Sequence, residues 1–323
     1  MRNLCFLAVA VVGWSGCSVD VEVASLSFVS PAPGSSHLRD QLGVSGSLVA
    51  PVGVEVEVGG DIARVALTAR PTGAADGDVA LGDLVDGQLS AELAQSGALT
   101  LTATAFADDG SELLSTAVDI TVDDPVVGDC HGWLDLYHLD YTTGPANLGI
   151  ADPVTVKLPL NGVAFRYSGN AEQRKTLYGD CLLMKSLAQA APIVRSHDVQ
   201  EIVDIGIYNY RCIDQSLTPP NCSMSQHAYA KAIDIAELVT SDLTHYSVLK
   251  DWVIDSTATC TAETTGDKDA FLHEVICELK AADVWNIVLT PNYNADHRNH
   301  FHVDLTKDSD FIKRANEALP LDD

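Results

Sequence analysis

The residues best suited to chemistry in this sequence are three histidines near its end, within the segment HRNHFHV (297–303). If HFHVDL (300–305) is a β-strand, its side chains point alternately to the two faces of a sheet. His300, His302 and Asp304 then share one face, and the apolar residues that alternate with them share the other. The pattern predicts a strand with one polar, imidazole-rich face and one core face.

A second polar group lies upstream in SQHAYAKAIDIAEL (225–238), where His227 precedes Asp234 by seven residues. Asp234 lies among alanine and isoleucine residues, and a carboxylate in such an apolar strand is destabilising unless it is paired or bound to a metal. Two imidazoles and one carboxylate that converge from separate strands, with a fourth position left for water, are typical of catalytic zinc sites. The spacing therefore predicts a zinc site, and Ser225 is interpreted as a hydroxyl that fixes the loop before His227.

The elements that must position these residues combine helical and strand patterns. Apolar residues recur at three- and four-residue spacing in 181–197 and 268–284, which predicts two helices. Strand-like runs occupy 201–210, 231–238, 285–290 and 300–305. We interpret residues 130–323 as one α+β domain, with a small antiparallel sheet and helices against it.

The N-terminal part has a different composition. Between residues 19 and 125 there are 17 acidic residues, three Arg and no Lys. Alternating or apolar runs, separated by Gly, Asp and Pro, predict strands at 52–58, 63–69, 97–107 and 116–122. We interpret residues 19–122 as an all-β, immunoglobulin-like sandwich that acts as a spacer or adhesive module, followed by a linker at 123–129.

The first 17 residues have the pattern of an export signal. Arg2 is followed by an apolar run from Leu4 to Trp14, which is too short to span a membrane comfortably, and then by Ser15, Gly16 and Cys17. This ending resembles a bacterial lipobox, which predicts a lipoprotein-type signal peptide at 1–17 and a lipid anchor on Cys17. The chain is therefore expected to face the periplasm or the cell surface from the outer membrane. An ordinary signal peptide, cleaved nearby, is the alternative.

The cysteines and the net charge narrow the chemistry further. An even set of cysteines in an exported chain predicts disulfides, and the alternative of a thiolate zinc site lacks the usual C-x2-C pair. The six candidates are Cys130, Cys181, Cys212, Cys222, Cys260 and Cys277. The formal charge of −26 argues against nucleic acid as a partner and against membrane contact other than through the lipid anchor.

Three segments resemble a known family. SQHAYAKAID (225–234) is similar to the S-x-H-x-x-G-x-A-x-D motif of the LAS peptidases, the zinc D-Ala-D-Ala carboxypeptidase and lysostaphin-type group. YNYRC (208–212) and the segment from FLHEV to HFHVDL (271–305) resemble the extensin-like C-terminal domain family of bacteria, which belongs to that group. The resemblance covers roughly 130–307. Ala230 replaces the motif glycine, which is expected to alter the loop that carries His227.

The resemblance implies roles for individual residues. The zinc ligands are expected to be His227, Asp234 and His302. Asn299 occupies the position at which the carboxypeptidases have a glutamate that acts as the general base. An amide cannot accept a proton usefully at neutral pH.

Other groups must then serve catalysis. The endopeptidase branch has histidines at the equivalents of 297 and 300, so His297 is expected to act as the base. His300 is expected to orient substrate or to stabilise the oxyanion, with a fourth metal ligand as the alternative. Arg211 is expected to bind substrate, with an ordinary salt bridge as the alternative. Cys222 and Cys260 have no counterpart in the family pattern, which implies that they pair with each other.

Two functional hypotheses follow. The first is a zinc metallopeptidase of the cell envelope that uses zinc-activated water to hydrolyse an amide bond in peptidoglycan stem peptides or cross-links. The second is a non-catalytic, cell-wall-binding or structural lipoprotein that retains the metal site. The missing glutamate at position 299 favours the second hypothesis.

Overall fold

The structure is a computed structural model that describes residues 23–254 and 259–313. The predicted signal peptide and Cys17 lie outside the described residues. Among the described helices, none has both the length and the apolar character that a membrane-spanning helix needs. The described chain divides into two compact units, the first formed by 23–35, 52–91 and 98–121 and the second by 36–51, 92–97 and the residues from 122 onward.

The N-terminal strands form two sheets. The sheet of five strands has the order β2-β9-β8-β5-β6, and the sheet of four has the order β1-β4-β3 with β7 also paired to β4. The strands are β1 (Ser25–Ser30), β2 (Ser36–Leu38), β3 (Gln41–Leu42), β4 (Leu48–Gly59), β5 (Arg64–Pro71), β6 (Val79–Asp83), β7 (Gln88–Leu93), β8 (Gly97–Phe106) and β9 (Glu112–Asp123). In β4 the valines at 52, 54 and 56 are buried and the residues between them are exposed, as the alternation predicts. All four predicted strands in this part are confirmed.

Within the described residues, the second unit contains four α-helices and ten more strands. The helices are α1 (Cys130–Leu136), α2 (Cys181–Ser196), α3 (Val248–Asp251) and α4 (Asp267–Ala281). The strands are β10 (Tyr141–Thr143), β11 (Pro153–Lys157), β12 (Ala164–Tyr167), β13 (Thr176–Asp180), β14 (Val199–Gly206), β15 (Ala232–Thr240), β16 (His245–Ser247), β17 (Ile287–Leu289), β18 (Phe301–Asp304) and β19 (Phe311–Lys313). The β-rich character with a few helices is confirmed, and so are the two predicted helices.

The sheet of this unit differs from the expectation of a small antiparallel sheet. Seven strands form one mixed sheet in the order β12-β14-β15-β18-β17-β19, with β16 on β15, and β10-β11-β13 form a separate sheet. β12 runs parallel to β14, and β19 runs parallel to β17. The parallel pair β12–β14 is explained by its connection, because β13 and α2 return the chain to the same end of the sheet. The edge strands β12 and β19 span only four and three residues, too few for a periodic signal.

The core of the second unit lies between this sheet and helices α2 and α4. Ile233, Phe301 and Val303 on the central strands are fully buried with Trp285. The Asp180 side chain caps α2 by accepting a hydrogen bond from the N–H of Leu182 at 3.1 Å. The central strands β15 and β18 are therefore fixed on their core face by packing, which leaves their other face for polar residues.

Three disulfides join the six predicted cysteines, so their oxidised state is confirmed. The pairs are Cys130–Cys181, Cys212–Cys222 and Cys260–Cys277. The expected Cys222–Cys260 pair is wrong. Cys212 and Met224 form an antiparallel bridge, and the N–H of Ile213 donates to the Ser223 carbonyl, so a local hairpin brings Cys222 to Cys212.

We expect the disulfides to stabilise the second unit in the order of the loops they close. The loop-entropy relation gives about 4 kcal/mol for Cys130–Cys181, and about 3 kcal/mol for each of the other two pairs. Replacing both cysteines of one pair by alanine should lower the free energy of unfolding by these amounts, as measured by denaturant titration. Peptide mapping of the unreduced protein should recover Cys222 linked to Cys212, and a peptide linking Cys222 to Cys260 would contradict this connectivity.

Candidate metal centre

Asp234 and His302 are neighbours because of the register between β15 and β18. The two strands are antiparallel, with Asp234 directly opposite His302. Cross-strand partners point to the same face, so both side chains leave the sheet on the side away from the core. The flanking residues Ile233 and Phe301 point into the core. The alternation of apolar and polar residues in both strands thus produces the pair.

His227 reaches the same place from a 3-10 turn at Gln226–Tyr229. The Ser225 hydroxyl accepts a hydrogen bond from the N–H of His227 at 3.3 Å, which is the loop-fixing role predicted for it. Ala230 ends the turn in the left-handed conformation, with φ 51°. Glycine adopts this conformation without a steric penalty, and alanine adopts it at a penalty of about 1–2 kcal/mol. Ala230 therefore keeps a glycine-like backbone, and His227 faces Asp234.

Three atoms meet at the centre. Asp234 Oδ1 lies 3.1 Å from His227 Nε2 and 2.9 Å from His302 Nδ1, and the two nitrogens lie 3.2 Å apart. The His227 and His302 side chains are almost completely buried, and the Asp234 side chain is 17% exposed. The structure thus brings together the three residues that were predicted as ligands.

In each of the two imidazoles, a hydrogen bond to the nitrogen that points away from Asp234 fixes the tautomer. His227 Nδ1–H donates to the carbonyl of Ile207, which directly follows β14, at 2.8 Å. His302 Nε2–H donates to Asp304 Oδ2 at 2.9 Å. Because each ring uses its proton there, His227 Nε2 and His302 Nδ1 direct lone pairs at Asp234 Oδ1. A metal ion fits this set of donors, and hydrogen bonds to the opposite nitrogen are the usual support for metal-binding histidines.

A second group of candidate ligands does not fit a metal. Cys130, Asp152 and Cys181 also lie within 4.8 Å of one another, but the two sulfurs are joined in a disulfide and cannot act as thiolates. Within the described residues, His227, Asp234 and His302 are therefore the group that can hold a cation.

Without a metal, a proton takes the cation's place. Burial lowers the pKa of His302, but hydrogen bonds with Asp234 and Asp304 outweigh this effect and raise the pKa to about 9. Burial raises the pKa of Asp234, whereas its hydrogen bonds with His227 and His302 lower the pKa to far below the usual range for aspartate. At neutral pH the metal-free centre thus holds an aspartate and a protonated His302.

His297 stands beside the centre in a turn fixed by Asn294. Asn294 Oδ1 accepts hydrogen bonds from the backbone N–H groups of residues 296 and 297 and from His297 Nδ1–H, the last at 2.7 Å. These donors identify the atom as oxygen, so the free lone pair of His297 is on Nε2. Burial, together with the positive charges of neighbouring His302 and His300, lowers the pKa of His297 to about 4. The His297 ring is 5.8 Å from the His302 ring and neutral at pH 7.

His300 approaches Asp234 from the adjacent position. His300 Nε2 lies 3.4 Å from Asp234 Oδ1, and its Nδ1 is hydrogen-bonded to the Asn299 side chain at 2.9 Å. Burial lowers the pKa of His300. Among the described residues, the group of ligand atoms that all lie within 4.8 Å of one another does not include His300. This geometry favours a substrate-facing role over a fourth ligand.

A cavity of about 620 Å³ opens onto the centre. It is lined by Asp234, His302, His297 and His300, and Arg211 lies in its wall. Within the described residues Arg211 forms no ion pair, and its Nη1–H donates to the Cys212 carbonyl at 3.4 Å. The alternative prediction, that Arg211 forms an ordinary salt bridge, thus finds no acidic partner among the described residues.

Sequence reasoning gave no role to three groups that orient the centre. Asp304 lies on the predicted polar face, two residues after His302, and this spacing was the signal for its contact with the imidazole. Asn294 follows Tyr293 and precedes Ala295 and Asp296, and an asparagine in such a loop is a turn signal. The Ile207 carbonyl has no sequence signal, because any residue supplies one.

Residues 138–313 match the family model described as the extensin-like protein C-terminus. A search of curated proteins finds no significant match. Solved structures that were matched include an engineered protein (24% identity, 31% of this chain, 20% of that chain, TM-score 0.22) and fibronectin(III)-like modules of Clostridium thermocellum CbhA (17%, 32%, 99%, 0.24). A third is beta-glucuronidase 3 of Bacteroides uniformis (14%, 42%, 15%, 0.19). These TM-scores are too low to carry an argument about fold or function.

We expect the binding of a divalent cation to the metal-free protein to release about one proton at pH 7. The pKa of His302 is about 9, so below that pH its Nδ1 must lose a proton before it can bind a cation, and this contribution of His302 to the release should vanish as the pH rises above 9. Calorimetry in buffers of different ionisation enthalpy measures this number. The Asp304→Asn variant should release fewer protons on cation binding, because it lacks one of the two carboxylates that raise the pKa of His302. Cation binding without proton release at pH 7 would refute the arrangement.

Proposed function

The chain belongs to the extensin-like protein C-terminus family, whose model matches more than half of it, and we propose that its second unit is a zinc metallopeptidase. The proposed substrates are the stem peptides or cross-links of peptidoglycan in the cell envelope, and placement among the LAS peptidases is part of the proposal. The observation that carries it is the convergence of three lone-pair-bearing atoms, from His227, Asp234 and His302, at the wall of a cavity.

The donor set fits zinc better than calcium or magnesium. Two imidazole nitrogens and one carboxylate oxygen match the ligands of catalytic zinc, whereas calcium and magnesium take oxygen ligands. Three protein ligands beside an open cavity leave a fourth position for water, which structural zinc sites lack. When bound, zinc polarises a substrate carbonyl and lowers the pKa of its coordinated water to about 7.

The chain's own residues supply the remaining steps. His297 presents the Nε2 lone pair of a neutral imidazole, so it can accept a proton from the attacking water and return it to the leaving amine. Asn294 keeps that lone pair available by holding Nδ1–H. His300 faces the same cavity and orients substrate or stabilises the developing oxyanion.

Arg211 provides the group for substrate recognition. Its guanidinium is half-buried in the cavity wall and has no carboxylate partner among the described residues. A buried or partly buried cation is stabilised by an opposite charge. A carboxylate of the substrate peptide supplies that charge, and stem peptides carry free carboxylates.

The second candidate function is a cell-wall-binding module that holds the metal without turnover. Asn299 favours it, because the side chain at this position hydrogen-bonds His300 and offers no basic group. Under both candidate functions, we propose that a lipid on Cys17 anchors the protein to the outer membrane. Cys17 lies outside the described residues.

We expect one zinc ion per chain, and loss of zinc in each of His227→Ala, Asp234→Ala and His302→Ala. Asp304→Ala should keep the ligands but weaken zinc affinity by about 10–100-fold, because His302 loses the acceptor that orients it. His245→Ala is the matched control, since this exposed histidine pairs with Glu237 outside the cavity. Competition with a chelator of known affinity measures the constants, and wild-type affinity in Asp234→Ala would show that the site is misassigned.

We expect zinc-loaded protein to release muropeptides from purified sacculi, and His297→Ala to retain zinc while losing a factor of about 10²–10⁴ in rate. Asn294→Ala should lose a smaller factor, because the imidazole remains but its tautomer is no longer fixed. Mass analysis of the products identifies the bond that is cut. Wild-type rates in His297→Ala would show that the base is another group, and inactivity of the zinc-loaded wild type would favour the binding module.

A further inference from the structure

A second cavity of the same unit is lined by aromatic side chains. It has a volume of about 550 Å³. Tyr167, Tyr178 and Tyr208 line it together with Arg174 and Gly206, and we call it the tyrosine cavity. None of the side chains that line it belongs to the metal-ligand group, so it is separate from the cavity at the metal centre.

Strand pairing places the tyrosine cavity close to the metal centre. Gly206 on β14 lies directly opposite Asp234 on β15. Opposite residues on antiparallel strands have Cα atoms about 5 Å apart. Ile207, the next residue, also lines the tyrosine cavity, and its carbonyl accepts the hydrogen bond from His227. A ligand in this cavity therefore lies beside whatever the metal centre binds.

Two of the three tyrosine rings are held in place by their hydroxyl groups. The Tyr178 hydroxyl donates to the Pro145 carbonyl at 2.8 Å, and the Tyr208 hydroxyl donates to the Leu148 carbonyl at 3.0 Å. Both rings also pack in part against the core of the unit. Side chains that are already fixed lose little conformational entropy when a ligand binds, so these rings are suited to recognition.

Arg174 and Tyr167 form the polar side of the tyrosine cavity. The fully buried Asp204 accepts a hydrogen bond from Arg174 Nη2 at 2.6 Å. The Arg174 guanidinium carbon lies 5.2 Å from the centroid of the Tyr167 ring, and Tyr167 is 41% exposed. No acceptor among the described residues takes a hydrogen bond from Arg174 Nη1, so this group can donate to an oxygen atom of a ligand.

The rest of the lining leaves room for a ring-shaped ligand. A Cβ atom placed on Gly206 would meet no atom within 4 Å, so the space above this backbone is open and a ligand can approach it closely. The exposed side chains of Asn170 and Thr176 add a carboxamide and a hydroxyl to the lining. The cavity thus combines aromatic rings with uncharged hydrogen-bonding groups.

This combination fits a neutral saccharide. A pyranose ring has two faces of C–H groups and an edge of hydroxyl groups. The C–H groups are attracted to the negative face of an aromatic ring, and the hydroxyl groups find donors and acceptors beside it. Arg174 disfavours a cationic ligand, and the formal charge of −26 disfavours an anionic one.

We propose that the tyrosine cavity binds the N-acetylated glycan strand of peptidoglycan, beside the stem peptide at the metal centre. The choice of this saccharide rests on the proposed function, since stem peptides and glycan strands are joined in one polymer. An acetamido group offers a carbonyl oxygen to Arg174 Nη1 and a methyl group to a tyrosine ring. The site serves the peptidase and the wall-binding module alike, because it needs no turnover.

The test measures saccharide binding directly. Zinc-loaded full-length protein is titrated calorimetrically with chitohexaose, the β-1,4-linked hexamer of N-acetylglucosamine, and with cellohexaose, which has the same linkage without acetamido groups. Chitohexaose should bind more tightly than cellohexaose. Tyr167→Ala should raise the Kd for chitohexaose by about tenfold, because it removes the most exposed ring. Tyr167→Phe keeps the ring and should recover most of the affinity.

The matched control is Phe106→Ala, which removes another aromatic ring beneath an arginine, since the Arg64 guanidinium carbon lies 4.2 Å from the Phe106 ring centroid in the first unit. This variant should keep the wild-type Kd. Absence of chitohexaose binding, or equal affinity for cellohexaose, overturns the glycan site.

An unchanged Kd in Tyr167→Ala, with its folding verified by thermal unfolding, overturns the glycan site as well. If chitohexaose binds as expected but sacculi are not digested, the glycan site stands and the peptidase proposal fails. Digestion of sacculi without chitohexaose binding removes the glycan site alone.

Discussion

Three lone pairs meet in the centre of this unit, and the local structure depends on the positive charge that must lie between them. His227 Nε2, His302 Nδ1 and Asp234 Oδ1 lie within 3.2 Å of one another, and none of them carries a proton of its own when both rings are neutral. Such an arrangement is repulsive in a site of low dielectric. A proton relieves it in the metal-free protein, and a divalent cation relieves it more completely because it attracts all three atoms at once.

This constraint explains why the surroundings of each ligand are so fully specified. Either imidazole could avoid the repulsion by turning its other nitrogen inward, but that nitrogen is held by the Ile207 carbonyl or by Asp304. The holding groups lie on or beside β14 and β18, while Asp234 lies on β15 between these strands. A shift of one residue in a strand register moves every side chain to the opposite face. The geometry of the centre therefore depends on the register of these three adjacent strands.

The sequence predicts the residues that strand alternation places on one face, but it does not predict which strands or cysteines pair. Alternation in HFHVDL and the isolated carboxylate in AIDIA identify His302 and Asp234, because a period of two is visible in four to six residues. The pairing of Cys222 with Cys212 depends on a short hairpin between residues 212 and 224, and this hairpin has no apolar period. The parallel pairing of β12 with β14 and of β19 with β17 could not be predicted either, because strands of three or four residues are too short to show a periodic pattern. Asn294 acts through backbone geometry that only the folded turn reveals.

In the proposed peptidase mechanism, the asparagine at position 299 does not remove the base, because the base need not lie at that position. A general base needs a lone pair near the metal's open position, and it does not need to be a carboxylate. In the proposed mechanism His297 would fill this role, since its ring centroid is 5.8 Å from that of His302 and Asn294 holds its other nitrogen. In the metal-free protein, its pKa of about 4 keeps the imidazole unprotonated throughout the neutral range. In the proposed mechanism, the base has thus moved from position 299 to the preceding turn, and the side chain at 299 contacts His300 instead.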